Sequence, residues 1–230
     1  MTPRFLFPPH PAKNLKITPD MLTSYERQKA WVAQRKFNGT HVVIWLYQDQ
    51  VAMWNRRGQP LAQYQMTPKM EKMLLTCFNR NHDTEYVLDG ELLHTKAKLQ
   101  TTNKQAVDNT VVLFDILYAG KFLSNLTTLE RLEVLNAFAP NQGLEPKKRA
   151  LFVSSYDESQ IWLAETFHDD FSYRFWEFYD YDTNGNDRHP ELEGLVLKNK
   201  LAKNTSVGNR PNDVLWMLRC RKTKEKMYQF

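Results

Sequence analysis

The apolar and polar positions divide the chain into short extended runs and a few amphipathic stretches. The lead-in of about 28 residues carries Pro3, Pro8, Pro9, Pro11 and Pro19, so it reads as extended chain followed by a short helix near Asp20 to Lys29. Apolar runs at Trp31 to Arg35 and His41 to Tyr47 read as strands flanking Asn38-Gly39, a dipeptide favoured in hairpin turns. Val51 to Trp54 forms the next strand. Thr67-Pro68 opens a helix with an N-cap followed by proline, and Met70, Met73, Leu74 and Cys77 give it an apolar stripe.

Glu85 to Leu93 and Val111 to Tyr118 read as strands separated by a polar loop, Lys96 to Asn109. Thr127 to Phe138 is the clearest helix, with a Thr127-x-x-Glu130 capping box and apolar Leu129, Leu132, Leu135 and Phe138. Basic Pro146 to Arg149 precedes a strand at Leu151 to Ser154. Asp157 caps a further helix containing Ile161, Trp162, Glu165 and Phe167, and Glu191 to Lys198 and Val214 to Arg221 are strands joined by the polar loop Asn199 to Asp213. Strands that neighbour one another in sequence, with helices interspersed irregularly, imply an α+β fold of antiparallel sheets with flanking helices.

Composition narrows the class. Hydrophobic residues at 42%, charged at 25% and aromatic at 13% over 230 residues describe a folded globular chain read as one domain. The net charge of +5 fits a polyanionic partner without requiring one. Cys77 and Cys220 lie far apart with no C-x-x-C or histidine pair, which excludes a zinc-finger pattern and a disulfide framework. No stretch approaches the roughly 18 apolar residues of a membrane span, so a soluble cytoplasmic protein is expected.

The chemistry lies in four short motifs in fixed order: Lys36-Phe37-Asn38-Gly39, Leu88-Asp89-Gly90-Glu91, Phe114-Asp115-Ile116-Leu117-Tyr118 and Glu193-Gly194-Leu195-Val196-Leu197-Lys198. Together they supply a lysine nucleophile, carboxylates, an aromatic platform and a second lysine. A lysine attacks only after losing its proton, and an ordinary lysine holds it with a pKa of about 10.4, so neighbouring cations or a metal-bound phosphate must favour the loss. Each motif alone has a plain structural reading: a solvated hairpin turn for Lys36, a strand end for Asp89 to Glu91, a core aromatic for Phe114. Along the last motif, alternation places Val196 and Lys198 on one face, where a base and a phosphate can contact adjacent side chains.

In this order the motifs resemble the adenylation domain of ATP-dependent DNA ligases, within the covalent nucleotidyltransferase superfamily of ligases and mRNA capping enzymes. Asn55-Arg56-Arg57-Gly58 resembles the ligase S-R-x-G element, Gly120, Leu126, Leu129, Glu130 and Arg131 extend the third motif's likeness, and the resemblance covers about residues 31 to 222. It implies an ATP-grasp-like nucleotidyltransferase fold in which Lys36 attacks the α-phosphate of ATP and holds AMP as a phosphoramidate. It further implies that Glu91 contacts ribose or metal, Phe114 and Val196 sandwich adenine, Glu193 serves the metal and Lys198 the α-phosphate. Gln34, Arg219 and Arg221 complete the ATP site, and Arg56 and Arg210 hold the 5′-phosphate of a nicked duplex. The implied cofactors are ATP and magnesium, and the implied enzyme is a monomeric ligase sealing nicks in DNA.

Departures from the family pattern keep alternatives open. Asn38 stands where DNA ligases usually carry aspartate and His41 where they usually carry arginine, while Gly39-Thr40 is closer to one branch of RNA ligases. Leu218-Arg219-Cys220-Arg221 offers arginines in place of two lysines, which bind phosphate differently, and the spacing from Arg210 to Trp216 is long. An RNA or RNA/DNA-hybrid ligase, a capping guanylyltransferase and a non-catalytic end-binding module therefore stay beside the DNA ligase reading. The resemblance places the last motif just before Phe230, so a domain without the oligonucleotide-binding barrel that follows in most such enzymes is expected. A charge aimed into a pocket packs against little, so removal of Lys198 or Glu193 is expected to spare the fold.

Overall fold

A computed structural model of the chain describes residues 2–61, 64–78, 83–93, 109–138, 152–153, 160–183, 185, 187–205 and 211–222. Arg210, the loop over 96–108, the basic segment 146–149 and the cap at Asp157 lie outside the described residues. Among the described residues the strands form three sheets. In chain order they are β1 (Pro9–Pro11), β2 (Lys16–Ile17), β3 (Trp31–Phe37), β4 (Thr40–Tyr47), β5 (Gln50–Asn55), β6 (Tyr86–Leu93) and β7 (Thr110–Ala119). There follow β8 (Phe152–Val153), β9 (Ile161–Leu163), β10 (Thr166–Phe167), β11 (Leu192–Asn199), β12 (Asn212–Val214) and β13 (Met217–Arg221).

The larger sheets run β5-β4-β6-β7-β9-β8 and β10-β3-β11-β13-β2, and β1 pairs with β12. Most ladders are antiparallel, but β7 with β9, β13 with β2 and β1 with β12 are parallel, so the sheets are mixed rather than antiparallel throughout. Two sequence expectations fail here. Trp31–Phe37 and Thr40–Tyr47 are strands, but they do not form a hairpin: β3 pairs with β10 and β11, whereas β4 pairs with β5 and β6. Asn38-Gly39 is a crossing from one sheet to the other. The helix expected over Ile161, Trp162, Glu165 and Phe167 is instead the strands β9 and β10, because Ile161 and Trp162 complete ladders on β7 that a local reading cannot foresee.

The helices are short. They are α1 (Leu22–Arg27), preceded by a 3₁₀ turn at Pro19–Met21, then α2 (Pro68–Phe78), α3 (Thr128–Asn136) and α4 (Phe171–Trp176). Thr67 Oγ1 accepts a hydrogen bond from the Met70 amide, the N-cap read from sequence. The Thr127 and Glu130 capping box forms in full, each side chain accepting from the other's backbone N–H. Met70 and Leu74 of α2 and Leu135 of α3 pack with Val42, Ile44, Leu88 and Leu113 of the six-stranded sheet. Leu22 of α1 and Phe171 and Phe175 of α4 pack with Ala33, Phe37, Leu195, Leu197, Leu218 and Cys220 of the five-stranded sheet. Burying these alternate residues fixes the strand register and turns the intervening side chains to the opposite face. No helix of the described residues is long and apolar enough to cross a membrane.

Candidate active site

On that opposite face lies a cleft of about 450 Å³, within the range of ligand sites. Of the candidate residues named from sequence, Gln34, Lys36, Arg56, Glu91, Phe114, Glu193, Val196, Lys198, Arg219 and Arg221 all line it, together with His10 and His41. Arg210 lies outside the described residues.

Strand pairing explains the gathering. Val196 of β11 stands opposite Gln34 of β3 on one side and Arg219 of β13 on the other, and Gly194 stands between Lys36 and Arg221 in the same way. Two cross-strand rows, Gln34-Val196-Arg219 and Lys36-Gly194-Arg221, therefore run side by side along one face. The register shifts between Leu192 and Gly194, so Glu193 sits at an irregularity of the β-bulge type, which re-aims a side chain. Its carboxylate bridges the two cations that flank Gly194, with Oε2 at 2.6 Å from Lys36 Nζ and 3.4 Å from Arg221 Nε. Gly194 itself has φ +151°, and a Cβ there would stand 1.9 Å from the Cys220 carbonyl oxygen. Only glycine fits.

The six-stranded sheet supplies the facing wall. Glu91 Oε1 accepts from the Gly39 amide at 2.9 Å, and Gly39 packs so closely on β6 that a Cβ would meet Leu92 O at 2.3 Å. Burial pushes the Glu91 carboxyl above its ordinary pKa against the opposing pull of His41 and Lys36, and Glu193 pushes the same way as burial. Phe114 is half-buried, with its ring edge-on to His41 at 5.6 Å. His41 Nε2 and Asp89 Oδ1 are 2.5 Å apart. Burial would lower the His41 pKa, but the Asp89 carboxylate and their hydrogen bond outweigh it and hold the pKa above the ordinary histidine value.

Lys198 departs from expectation. It is only 1% exposed, and Nζ donates to Phe114 O at 2.8 Å while standing 3.9 Å from Asp115 Oδ2. Asp115 in turn receives Arg131 Nε and Nη2 at 2.9 and 3.1 Å, a buried bidentate pair that holds its carboxyl below the ordinary pKa despite burial. Lys198 is thus built into a buried network beneath the cleft, where burial holds its pKa below the ordinary lysine value, and its removal is expected to cost stability as well as chemistry. Sequence reading noted Arg131 only as part of a resemblance; its role follows from the fully buried Asp115, which needs a partner.

The motif departures acquire physical reasons. Asn38 Nδ2 donates to Pro190 O at 3.0 Å, and its amide donates to Glu191 O at 2.8 Å, which pins the sheet crossing. An ionised aspartate in that place could not donate. Lys222 Nζ is occupied by Asp187 at 2.8 Å and His189 O at 3.1 Å, so Arg219 and Arg221, not Lys222, carry the positive charge of this strand into the cleft. Gln34 Nε2 donates to Thr166 Oγ1 at 3.1 Å, while its buried Oε1 accepts no hydrogen bond among the described residues. Sequence reading missed His10, for which the Pro-rich lead-in gave no signal.

A model of the ATP dependent DNA ligase domain matches residues 9–172. No curated protein sequence gives a match. Among solved structures, a mycobacterial DNA ligase D complexed with ATP and MES is 15% identical with a TM-score of 0.58, over 94% of this chain and 60% of that one. The ligase domain from M. tuberculosis LigD is 15% identical with a TM-score of 0.56, over 93% of this chain and 58% of the other. The ATP-dependent DNA ligase from bacteriophage T7 complexed with ATP is 12% identical with a TM-score of 0.50, over 94% and 68%. The chain thus spans about 60% of the length of the first two. At these identities the likeness is one of fold, whereas the family match rests on sequence over most of the chain: the protein belongs to the family of ATP-dependent DNA ligase domains.

Proposed function

We propose that this chain is the nucleotidyltransferase domain of an ATP-dependent ligase that seals 5′-phosphate/3′-hydroxyl nicks in duplex DNA. The observation that carries the reading is the two cross-strand rows, which set Lys36 beside a cationic floor and a slot bounded by Phe114 and Val196, one from each sheet. A purine between those side chains gains stacking, and its exocyclic amine supplies the donor that buried Gln34 Oε1 lacks.

Lys36 gives up a proton, for which the Glu193 carboxylate at 2.6 Å is in place, and its nitrogen attacks the α-phosphorus of ATP. A P–N bond forms, the bond to the β-phosphate oxygen breaks, and pyrophosphate leaves with the electron pair. An oxygen of the nick's 5′-phosphate then attacks the same phosphorus, and the lysine leaves and takes up a proton. Finally the 3′-hydroxyl attacks the activated 5′-phosphate, loses its proton and expels AMP. Arg219 and Arg221 balance charge on the phosphates, Lys198 does so at the α-phosphate once it exchanges the Phe114 carbonyl, and Arg56 holds the 5′-phosphate.

Among the described residues no three His, Cys, Asp or Glu side chains cluster as a ready metal site. The donor set nevertheless fits magnesium, which binds through one or two carboxylates plus substrate phosphates. Glu91 and Glu193 both line the cleft and each raises the cost of charging the other, a repulsion that a cation between them would relieve. Bound there, the ion would supply charge to the phosphate oxygens.

The test is covalent labelling with α-labelled ATP and magnesium. An acid-labile, base-resistant adduct that disappears in Lys36→Ala is expected. Labelling by GTP alone would instead assign the chain to capping chemistry, and sealing only of RNA-containing nicks would replace DNA as the substrate.

A further inference from the structure

Resting on the reading of Arg56 as the contact for the 5′-phosphate, we propose that His10 is a positioning residue for that arginine. Its neutral imidazole accepts a hydrogen bond from the guanidinium and holds it at the mouth of the cleft.

The two residues come from opposite sides. His10 lies on β1, opposite Asp213 of β12, and Arg56 follows β5 at the edge of the six-stranded sheet. His10 Nε2 and Arg56 Nη1 are 3.1 Å apart, and both residues line the cleft. The other ring nitrogen settles the tautomer, because Nδ1 lies 2.9 Å from Pro11 O, an acceptor, and must carry the proton. Nε2 is therefore left with a lone pair directed at the guanidinium. Burial, then the Arg56 charge, hold the His10 pKa below its ordinary value, with the Pro11 carbonyl opposing and Arg219 and His41 adding to the effect. Asp213 Oδ1, at 3.7 Å from Nδ1, is the carboxylate facing the ring.

The choice of a neutral partner is what points to a phosphate. Arg4, Arg35 and Arg131 are each oriented by a carboxylate, Glu85, Glu177 and Asp115 respectively, and their charge is cancelled where they sit. Among the described residues no carboxylate pairs with Arg56. An imidazole acceptor fixes the direction of a guanidinium while leaving its full positive charge for an incoming anion, whereas a carboxylate would compete with that anion. The Pro-rich lead-in thereby contributes to the substrate side of the cleft.

The experiment measures binding of the full chain to two nicked duplexes identical except for a 5′-phosphate or a 5′-hydroxyl at the nick, read as the ratio of the two affinities. Wild type is expected to prefer the phosphate, and Arg56→Ala to lose most of that preference. His10→Ala is expected to lower the ratio by about 3- to 10-fold, and His10→Gln, which places an amide oxygen where Nε2 stood, to recover most of it. In an Arg56→Ala background, His10→Ala should change nothing further. His10→Phe keeps the ring and removes the acceptor, and should behave as His10→Ala should that variant fold poorly. An unchanged ratio in His10→Phe, or losses that multiply in the double variant, overturns the proposal while leaving Arg56 in place. A wild type that does not distinguish the two nicks overturns the Arg56 reading, and this proposal with it.

Discussion

Glu193 Oε2 lies 2.6 Å from Lys36 Nζ although β11 places Gly194, not Glu193, opposite Lys36. The irregularity at Glu193 brings the carboxylate over to Lys36, and the missing side chain at Gly194 lets β13 close against β11 beside it. Because Glu193 remains partly exposed and packs little, Glu193→Gln is expected to leave the melting temperature within a few degrees of wild type. It should slow covalent AMP transfer to Lys36 about 10²-fold. A melt that collapses together with activity would assign Glu193 to structure.

Gly194→Ala tests the other half of that arrangement. With φ +151° and a carbonyl oxygen 1.9 Å from the new Cβ, β11 and β13 must separate locally. The expected cost is about 3 kcal/mol or more, read by denaturant unfolding. A neutral result would show that the ladder at Glu193 is not held as described.

Arg131→Ala leaves Asp115 buried without its bidentate partner and Lys198 with the whole burden of balancing it. Loss of about 3 to 5 kcal/mol is expected, far more than for Arg56→Ala at the exposed rim. Equal losses for the two variants would contradict the buried network.

The His41 and Asp89 pair carries a pH signature. His41 has its pKa raised in the folded protein above 6.5, so the stability it contributes is fully present below that value and is lost as pH rises through the folded pKa. His41→Gln keeps a neutral donor at the position of Nε2. The melting-temperature difference between wild type and this variant should therefore be largest near about pH 6 and shrink by about pH 9. A difference independent of pH would mean that the pair is held as a neutral hydrogen bond.

Local chemistry made part of this molecule readable in advance. The capping box of α3, the N-cap of α2 and most strand positions follow from signals contained within a few residues. The cleft was legible because its residues sit at alternate positions of strands whose intervening side chains are largely apolar, as with Val196 and Lys198 on either side of Leu197. What the sequence hid were the choices made by distant partners. Asn38-Gly39 has the composition of a hairpin, and only the ladders that β3 forms with β11 and β4 with β6 show it to be a crossing. Ile161 and Trp162 suit a helix or a strand until β7 is beside them. Lys198 reads as a free charge until Asp115 and the Phe114 carbonyl are seen to receive it. His10 has no motif at all, and its meaning depends on Arg56, 46 residues away.

That crossing at Asn38-Gly39 puts the two walls of the cleft on different ladders. Lys36 and Val196 ride on one sheet, and Phe114 and Glu91 on the other, with the ladders of each closed upon itself. On the proposed function, a nucleotide stacked between Phe114 and Val196 and bonded to Lys36 would act as a rivet through both sheets: its arrival would stiffen the molecule across the cleft, and its departure as AMP would release it again.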